Sequence, residues 1–162
     1  MTTEPTVTTV RAEDPRQPEV EAMLRAGEAF ARTLYAPEEC FLLSGDELAV
    51  PGTTVLVARD EAGTAVGMVA LVEQKAGLGE LKRLFVDEAA RGLGIADCLM
   101  DALERAAQER GIRALRLETG IHSATALRFY ARRGYGRIPA FGEYVDSATS
   151  VCMERTLADP GR

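Results

Sequence analysis

The chain has 162 residues, of which 46% are hydrophobic and 27% are charged, and this composition predicts one globular domain with a full apolar core. The formal net charge is −6, without a basic tail or an aromatic-basic stripe, so we expect no nucleic-acid partner and favour a small or cationic substrate. The sequence shows neither a signal segment nor an apolar run long enough to cross a bilayer, which predicts a cytoplasmic protein without a membrane partner.

The first half of the chain alternates β-rich and helical patterns, separated by glycine and proline. Between two of its strands lies the run Asp60-Glu61-Ala62-Gly63-Thr64, which suits the turn of a β-hairpin. The predicted elements are a strand at 7–10, a helix from Val20 to the break at Pro37, a loop at 38–52 with one helical turn near Asp46, and strands at 53–59 and 65–73.

The second half alternates more regularly, and glycines follow both of its helices. The predicted elements are a strand at 80–86, a helix at 94–110, a strand at 114–119, a helix at 123–133, and strands at 135–138 and 151–156. A strand, a helix and a second strand in this order predict a parallel pair inside a mixed sheet. We therefore expect an α/β fold of order β-α-β-β-β-α-β-α-β-β. It forms a single domain at 7–157, with flexible termini at 1–6 and 158–162.

The sharpest motif is the run Arg91-Gly92-Leu93-Gly94-Ile95-Ala96, which lies between a predicted strand and a predicted helix. Such a turn presents consecutive backbone N–H groups at the positive end of a helix, where a phosphate or pyrophosphate can bind. The alternative is a tight connection in which the glycines only supply unusual dihedral angles. The motif is not a dinucleotide-binding fingerprint, because Asp97 stands where the third glycine would be, and it lacks the Gly-Lys-Ser/Thr ending of a P-loop.

Three linked motifs resemble the GNAT superfamily of N-acetyltransferases, and the resemblance is clearest over 80–157. They are Arg91-x-x-Gly94-x-Ala96, which matches the signature Q/R-x-x-G-x-G/A, then Leu117-Glu118-Thr119, and then Ala126-x-x-Phe129-Tyr130-x-x-x-Gly134-Tyr135. The resemblance implies a central twisted mixed sheet flanked by helices, with two parallel strands that splay apart at a coenzyme cleft. It also implies acetyl-CoA as the cosubstrate, no metal, and a homodimer of the bacterial small-molecule type.

The resemblance assigns the coenzyme contacts residue by residue. The pyrophosphate is expected on the glycine turn, and the pantetheine arm is expected to pair with the end of the strand at 80–86. Strict alternation in that strand puts Glu80 and Lys82 on one face with Leu84 and Val86, so neither face is purely apolar, as in a bulged strand beside a cleft. The predicted contacts are Leu84, Phe85, Val86, Arg91, Gly92, Leu93, Gly94, Ile95, Ala96, Ser123 and Tyr130. Ser123 stands where the family often has asparagine.

The resemblance makes Tyr130 the candidate general acid and Glu80 the candidate general base. A thiolate leaves when an amine displaces coenzyme A, and a phenol near the sulfur can protonate it. The attacking ammonium must lose a proton, which a carboxylate beside the thioester can accept. The alternatives are that Tyr130 is a core aromatic on the same side of its helix as Leu127, and that Glu80 is an exposed acid that pairs with Lys82 or with nothing.

Other polar side chains receive no fixed role. His122 is the only histidine and stands just before a helix, where a structural role is as consistent with the sequence as a role at the substrate. Arginines at 128, 132 and 133 could reach the adenosine phosphates or form a solvated helix face. Three widely separated cysteines, Cys40, Cys98 and Cys152, predict neither a disulfide framework nor a metal site.

The acceptor is the least determined feature of the sequence. The residues expected near it are Tyr35, Phe41, Phe141 and Tyr144, with Glu143 and Asp146 as acidic neighbours. The leading hypothesis is acetyl transfer to a primary amine of a small molecule, amino-acid-like or polyamine-like, by direct attack in a ternary complex. The alternatives are acetylation of a protein N-terminus or lysine, and a non-catalytic acyl-CoA-binding module.

Overall fold

A computed structural model describes residues 7–158 of the chain. The strands are β1 (Val7–Ala12), β2 (Thr53–Asp60), β3 (Ala65–Glu73), β4 (Leu78–Val86), β5 (Ala114–Gly120), β6 (Gly136–Ile138) and β7 (Ser150–Thr156). The helices are α1 (Pro18–Arg32), α2 (Gly45–Leu48), α3 (Ile95–Glu109) and α4 (Ala124–Arg132). The predicted α/β order is confirmed, and α2 is the helical turn expected near Asp46. The termini predicted to be flexible lie outside the described residues, except for Ala158.

The seven strands form one mixed sheet in the order β1-β2-β3-β4-β5-β7-β6. Only β4 and β5 pair in parallel, while the other neighbours pair antiparallel. The helix α3 makes the connection between the two parallel strands, as such a pairing requires. The predicted parallel pair is therefore confirmed, and it lies near the middle of the sheet.

Helices cover both faces of the sheet, so the sheet has a core on each side. One core joins α3 and α4 to the sheet through residues such as Leu71, Leu99 and Tyr130. The other joins α1 and α2 to the opposite face through residues such as Val20, Leu48 and Met68. Alternation along β2 and β3 supplies both cores, because successive side chains of a strand point to opposite faces. Within 7–158, no helix combines the length and the apolar sequence needed to span a membrane.

A β-bulge interrupts β4 at the centre of the sheet. Met68 of β3 pairs with Phe85, and Ala70 pairs with Lys82, so two residues of β4, Arg83 and Leu84, stand opposite a single residue of β3. Arg83 has a φ of 59°, in the left-handed region that residues with a Cβ atom rarely adopt. The bulge suggested by the mixed faces of this strand is confirmed.

The bulge reverses the faces of the last residues of β4. Phe85 packs in the core beneath α1, whereas Leu84 and Val86 pack in the core beneath α3. The prediction that Leu84 and Val86 share a face with Glu80 and Lys82 is therefore wrong, because the extra residue shifts the alternation by one.

We predict that Gly67→Ala destabilises the fold. A Cβ atom at Gly67 would lie 3.0 Å from both the Phe85 carbonyl oxygen and Leu99 Cδ1, and 3.2 Å from Ile95 Cγ2. One of these atoms is backbone, so the expected loss is about 1–3 kcal/mol in the free energy of unfolding, measured by urea denaturation. Gly136→Ala is the control, because no atom lies within 4 Å there, and its expected change is below about 0.5 kcal/mol. Equal midpoints for the two variants would contradict close packing of α3 on β3.

Candidate active site

A cleft of about 230 Å³ opens where the parallel strands diverge. Pairing between β4 and β5 ends at Leu81 opposite Leu117, so the backbone of β4 beyond that pair has no partner in β5. Residues 81–85 of β4 and 118–120 of β5 line the cleft, with α1 along one side. Leu84, Phe85, Ser123 and Tyr130, all predicted to contact the coenzyme, therefore line one cavity.

The glycine turn lies beyond the end of β4 and leads into α3. Gly92 and Gly94 have φ values of 80° and 79°, and Gly94 is the N-cap of α3. A Cβ atom at either glycine would meet nothing within 4 Å, so dihedral angle rather than space requires glycine here. The residues from Arg91 to Gly94 are exposed, and the first N–H groups of a helix have no acceptor within it. This geometry can hold an anion.

Arg91 is held beside this turn by two contacts. Its Nε donates a hydrogen bond of 3.3 Å to the carbonyl oxygen of Val86, and its guanidinium lies 5.7 Å from the ring centroid of Phe30. Phe30 is a large apolar residue of α1 that is 55% exposed. Arg91 therefore links α1 to the turn and places a positive charge next to the free N–H groups.

Tyr130 is buried, with 6% of its surface exposed, and it lines the cleft. Its ring makes edge contacts with Phe129 and Tyr135 at centroid distances of 5.4 and 5.9 Å. Burial raises the pKa of the Tyr130 phenol well above its usual range, and the charge of Glu118 raises it further. The phenol is therefore protonated at neutral pH and can act as a hydrogen-bond donor in the cleft.

Glu80 is buried, and Lys82 and Tyr144 lie between it and the main cleft. The Tyr144 hydroxyl donates to Glu80 Oε1 at 2.6 Å and accepts from Lys82 Nζ at 2.7 Å. Gln74 Nε2 donates to the other Glu80 oxygen at 3.4 Å. Glu80 lines a second cavity of about 500 Å³, whereas Lys82 and Tyr144 line both cavities. Glu80 is thus connected to the main cleft through the Tyr144 hydroxyl.

Glu118 of β5 lines the main cleft directly, and it was not predicted to be a catalytic residue. Burial raises the pKa of its carboxyl, against a hydrogen bond from Ser150 and the charge of Lys82, which lower it. Ser150 Oγ donates that hydrogen bond. The sequence does indicate which way Glu118 points. Arg116 and Glu118 alternate with buried leucines, and this alternation puts the Glu118 carboxylate on the same sheet face as Glu80 and Lys82.

Three of the four predicted acceptor residues form one aromatic cluster. The Phe41 and Phe141 rings both meet the ring of Tyr144 edge to face, at centroid distances of 5.0 and 5.3 Å. Phe41 and Tyr144 line the main cleft, and Phe141 lines the second cavity. The cluster therefore separates the two cavities.

Tyr35, the fourth predicted acceptor residue, lies at another end of the cleft. Its hydroxyl shares a hydrogen bond of 2.9 Å with Ser123 Oγ and accepts one of 2.9 Å from the His122 backbone N–H. Its ring stacks on the His122 ring at 5.6 Å. Gly120 leaves room for it, because a Cβ atom there would overlap the Tyr35 hydroxyl. The Ser123 hydroxyl predicted to contact coenzyme is thus bonded to Tyr35.

Most of the remaining candidates are occupied elsewhere or lie outside the cleft, and Cys40 is the exception because it lines the main cleft. Arg133 contacts three carboxylates, and the guanidinium of Arg132 lies 5.5 Å from the Phe129 ring. The His122 ring lines neither cavity, and the three cysteines are free. No group of three or more potential metal ligands occurs among the residues that the structure describes.

Comparisons with known proteins agree with this geometry. A family model described as the acetyltransferase (GNAT) family matches residues 18–135. A protein of Azospirillum brasilense named IAA acetyltransferase is 37% identical over 150 residues, which cover 92% of this chain and 97% of that protein. A solved structure from Klebsiella pneumoniae, described as an acyl-CoA N-acyltransferase, is 35% identical with a TM-score of 0.79, covering 93% of this chain and 97% of that chain.

A more distant structure shares the fold. The PaiA N-acetyltransferase from Thermoplasma acidophilum, solved in complex with coenzyme A, is 17% identical with a TM-score of 0.71, and the match covers 92% of this chain and 99% of that chain. The family match spans both the splayed strands and the glycine turn. The chain therefore belongs to the GNAT family of acetyltransferases and is an N-acyltransferase.

Proposed function

We propose that this enzyme transfers the acetyl group of acetyl-CoA to a primary amine of a small molecule, by direct attack in a ternary complex. The observation that carries the proposal is one cleft that holds an acid and a base together. Tyr130 and Glu118 both line it, and burial raises the pKa of each. Groups with shifted pKa values in a cleft are candidates for proton transfer.

The glycine turn and the free edge of β4 support the binding of coenzyme. The exposed N–H groups of the glycine turn suit the pyrophosphate, and Arg91 adds a positive charge beside them. The β4 backbone from Leu84 to Val86 has no partner in β5, so its free peptide groups suit the amides of the pantetheine arm. Bound in this way, the thioester would reach the part of the cleft that Tyr130 lines.

Tyr130 and Glu118 account for every proton that moves in the proposed reaction. Glu118 accepts a proton from the ammonium of the acceptor, and the freed amine attacks the thioester carbonyl carbon. The carbon–sulfur bond breaks as Tyr130 gives its proton to the leaving thiolate. Tyr130 regains a proton from the newly acylated nitrogen, so the products are an acetamide and the thiol of coenzyme A. One net proton leaves through Glu118.

Glu80 stays the alternative base, with Tyr144 as its relay. The Tyr144 hydroxyl lines the main cleft and donates to Glu80 at 2.6 Å, so it could take a proton from the amine as it passes its own to Glu80. Burial and the hydrogen bond to Glu80 raise the pKa of Tyr144. Glu118 is favoured because it reaches the cleft without a relay.

The size of the cleft supports a small acceptor. Its volume is about 230 Å³, and the ring of Phe41 closes against Tyr144 on its inner side. A protein N-terminus or lysine would need an open groove, and a non-catalytic binding module would not need the pair Tyr130 and Glu118. The free cysteines suit the cytoplasmic location expected from the sequence, and the homodimer stays a prediction.

We predict that Tyr130→Phe lowers kcat by roughly 100-fold or more, because the thiolate loses its proton donor. The dissociation constant for coenzyme A should change little. Tyr135→Phe is the matched control: Tyr135 is buried beside Tyr130, but its hydroxyl donates to Glu104 at 3.3 Å and does not line the cleft. Thiol release measured across an amine panel gives kcat for both variants. Equal kcat values for the two variants would remove Tyr130 from the chemistry.

We predict a pH signature for Glu118. In the parent, kcat/KM should fall as pH drops through the raised pKa of Glu118 and stay level up to the pKa of the acceptor amine. Glu118→Gln should lose roughly 100-fold at neutral pH. That loss should shrink as pH rises, because the amine then arrives already deprotonated.

Glu80→Gln is the control for this pH signature. Its kcat/KM should stay level over the same pH range as in the parent. Thiol release is measured for all three proteins from acidic pH to the pKa of the amine. If Glu80→Gln shows the high-pH recovery and Glu118→Gln does not, the base is Glu80 acting through Tyr144.

A further inference from the structure

Arg83 is a cation in the cleft wall that has no carboxylate partner within the described part of the chain. Its Nη2 donates a hydrogen bond of 2.6 Å to the Leu24 carbonyl oxygen, and its Nε is buried without any partner. Among residues 7–158, no carboxylate lies within ion-pairing distance of its guanidinium, and its Nη1 makes no hydrogen bond. The side chain also lines the main cleft. A partly desolvated charge of this kind is costly unless an anion pairs with it.

Among the described residues, a second arginine with a buried, unbonded Nε shows how this chain neutralises such a charge. Arg133 contacts Asp97 at 3.0 Å, Asp101 at 2.7 Å and Glu104 at 3.2 Å. Burial acts against the charge of both arginines, but the hydrogen bonds of Arg133 outweigh it and raise the pKa. At Arg83 burial dominates and lowers the pKa, opposed only by the charge of Glu28. Among the described residues, Arg83 therefore has the charge of Glu28 nearby but no carboxylate in contact with its guanidinium.

The backbone also sets Arg83 apart. It occupies the bulge of β4 with a φ of 59°, a conformation that glycine adopts without strain and arginine does not. The bulge directs this side chain to α1, where it meets Leu24. A guanidinium is thereby fixed in the wall of the cleft that Glu118 also lines.

We propose that Arg83 binds the carboxylate of the acceptor, so that the acceptor is an amino acid or a closely related amino carboxylate. This inference rests on the proposed acetyl transfer and names its substrate class. Guanidinium binds carboxylate through strong charge-assisted hydrogen bonds. The carboxylate would then be paired in the same cleft that Tyr130 and Glu118 line. A polyamine would instead place a second cation against Arg83, which costs affinity.

The apolar part of the cleft supports the same class. Met23 and Leu24 of α1 and Met68 of β3 line it together with Phe41, so an apolar side chain could pack there while the two charged ends of the acceptor are paired. Met23, Leu24 and Met68 belong to the core beneath α1, which gives that wall a fixed shape. The cleft therefore suits an amino acid with an apolar side chain.

The test compares acceptors that differ only in the carboxylate. Free-thiol release from acetyl-CoA is measured with L-leucine, L-leucinamide and isoamylamine, which share one side chain. The parent should prefer leucine by about 10- to 100-fold in kcat/KM, the range expected for hydrogen bonds to a charged group. Arg83→Met should abolish that preference by raising KM for leucine. The kcat/KM values for leucinamide and isoamylamine should stay unchanged. Arg83→Lys keeps the positive charge and should therefore retain part of the preference for leucine.

Arg116→Met is the matched control, because Arg116 lies on the same sheet face but lines the second cavity. It should keep the preference for leucine, and a loss there instead of at Arg83 would overturn the proposal. Circular dichroism and the melting temperature establish that each variant is folded. A parent that turns over leucinamide as well as leucine, or an Arg83→Met variant that loses activity equally on all three amines, also contradicts the carboxylate site.

A binding measurement separates this proposal from the proposed reaction. Titration of leucine into the parent in the presence of coenzyme A should give a dissociation constant at least about 10-fold lower than in Arg83→Met. Binding that depends on Arg83 without thiol release from any amine would overturn acetyl transfer and keep the carboxylate site. Thiol release with equal binding of leucine to the two proteins would keep acetyl transfer and overturn the site.

Discussion

The site depends on the point where β4 stops pairing with β5. The last parallel pair is Leu81 with Leu117, and the bulge at Arg83 follows directly. A continuous ladder would satisfy these peptide groups within the sheet and leave no cleft. Divergence leaves one strand edge of β4 free for a ligand, and the bulge brings the guanidinium to α1. One local irregularity thus creates the cleft and places a charge in its wall.

Burial then determines the chemistry of the cleft. It raises the pKa of Tyr130 and of Glu118, which keeps the phenol protonated and makes the carboxylate a stronger base. It also leaves Arg83 with a charge that no described carboxylate neutralises. In water these shifts would be absent, because the charged form of each group would be fully hydrated. The cores on either side of the sheet, rather than the polar groups themselves, therefore give the site its electrostatic character.

Local patterns predicted the elements, the parallel pair and the glycine turn, because each depends on residues close in sequence. Phe41 and Phe141 both contact Tyr144, and their role at the acceptor stays a prediction. Two features depend on how β4 pairs with β3 and β5. They are the sheet faces of the β4 residues after the bulge and the position of Glu118 at the cleft. The mixed faces of β4 predicted a bulge but not its position, and the position of the extra residue decides which faces Leu84 and Phe85 occupy. The features that local patterns did not predict therefore depend on pairing between strands that are distant in sequence.

A crystal structure with coenzyme A bound tests the central claim most directly, namely that the divergence of β4 from β5 forms the coenzyme site. The pyrophosphate should contact the N–H groups of 92–96, and the pantetheine amides should pair with β4 between Leu84 and Val86. The sulfur should lie within hydrogen-bond reach of the Tyr130 hydroxyl. A coenzyme bound outside this cleft, or a sulfur on the far side of Tyr144 in the second cavity, would contradict the account.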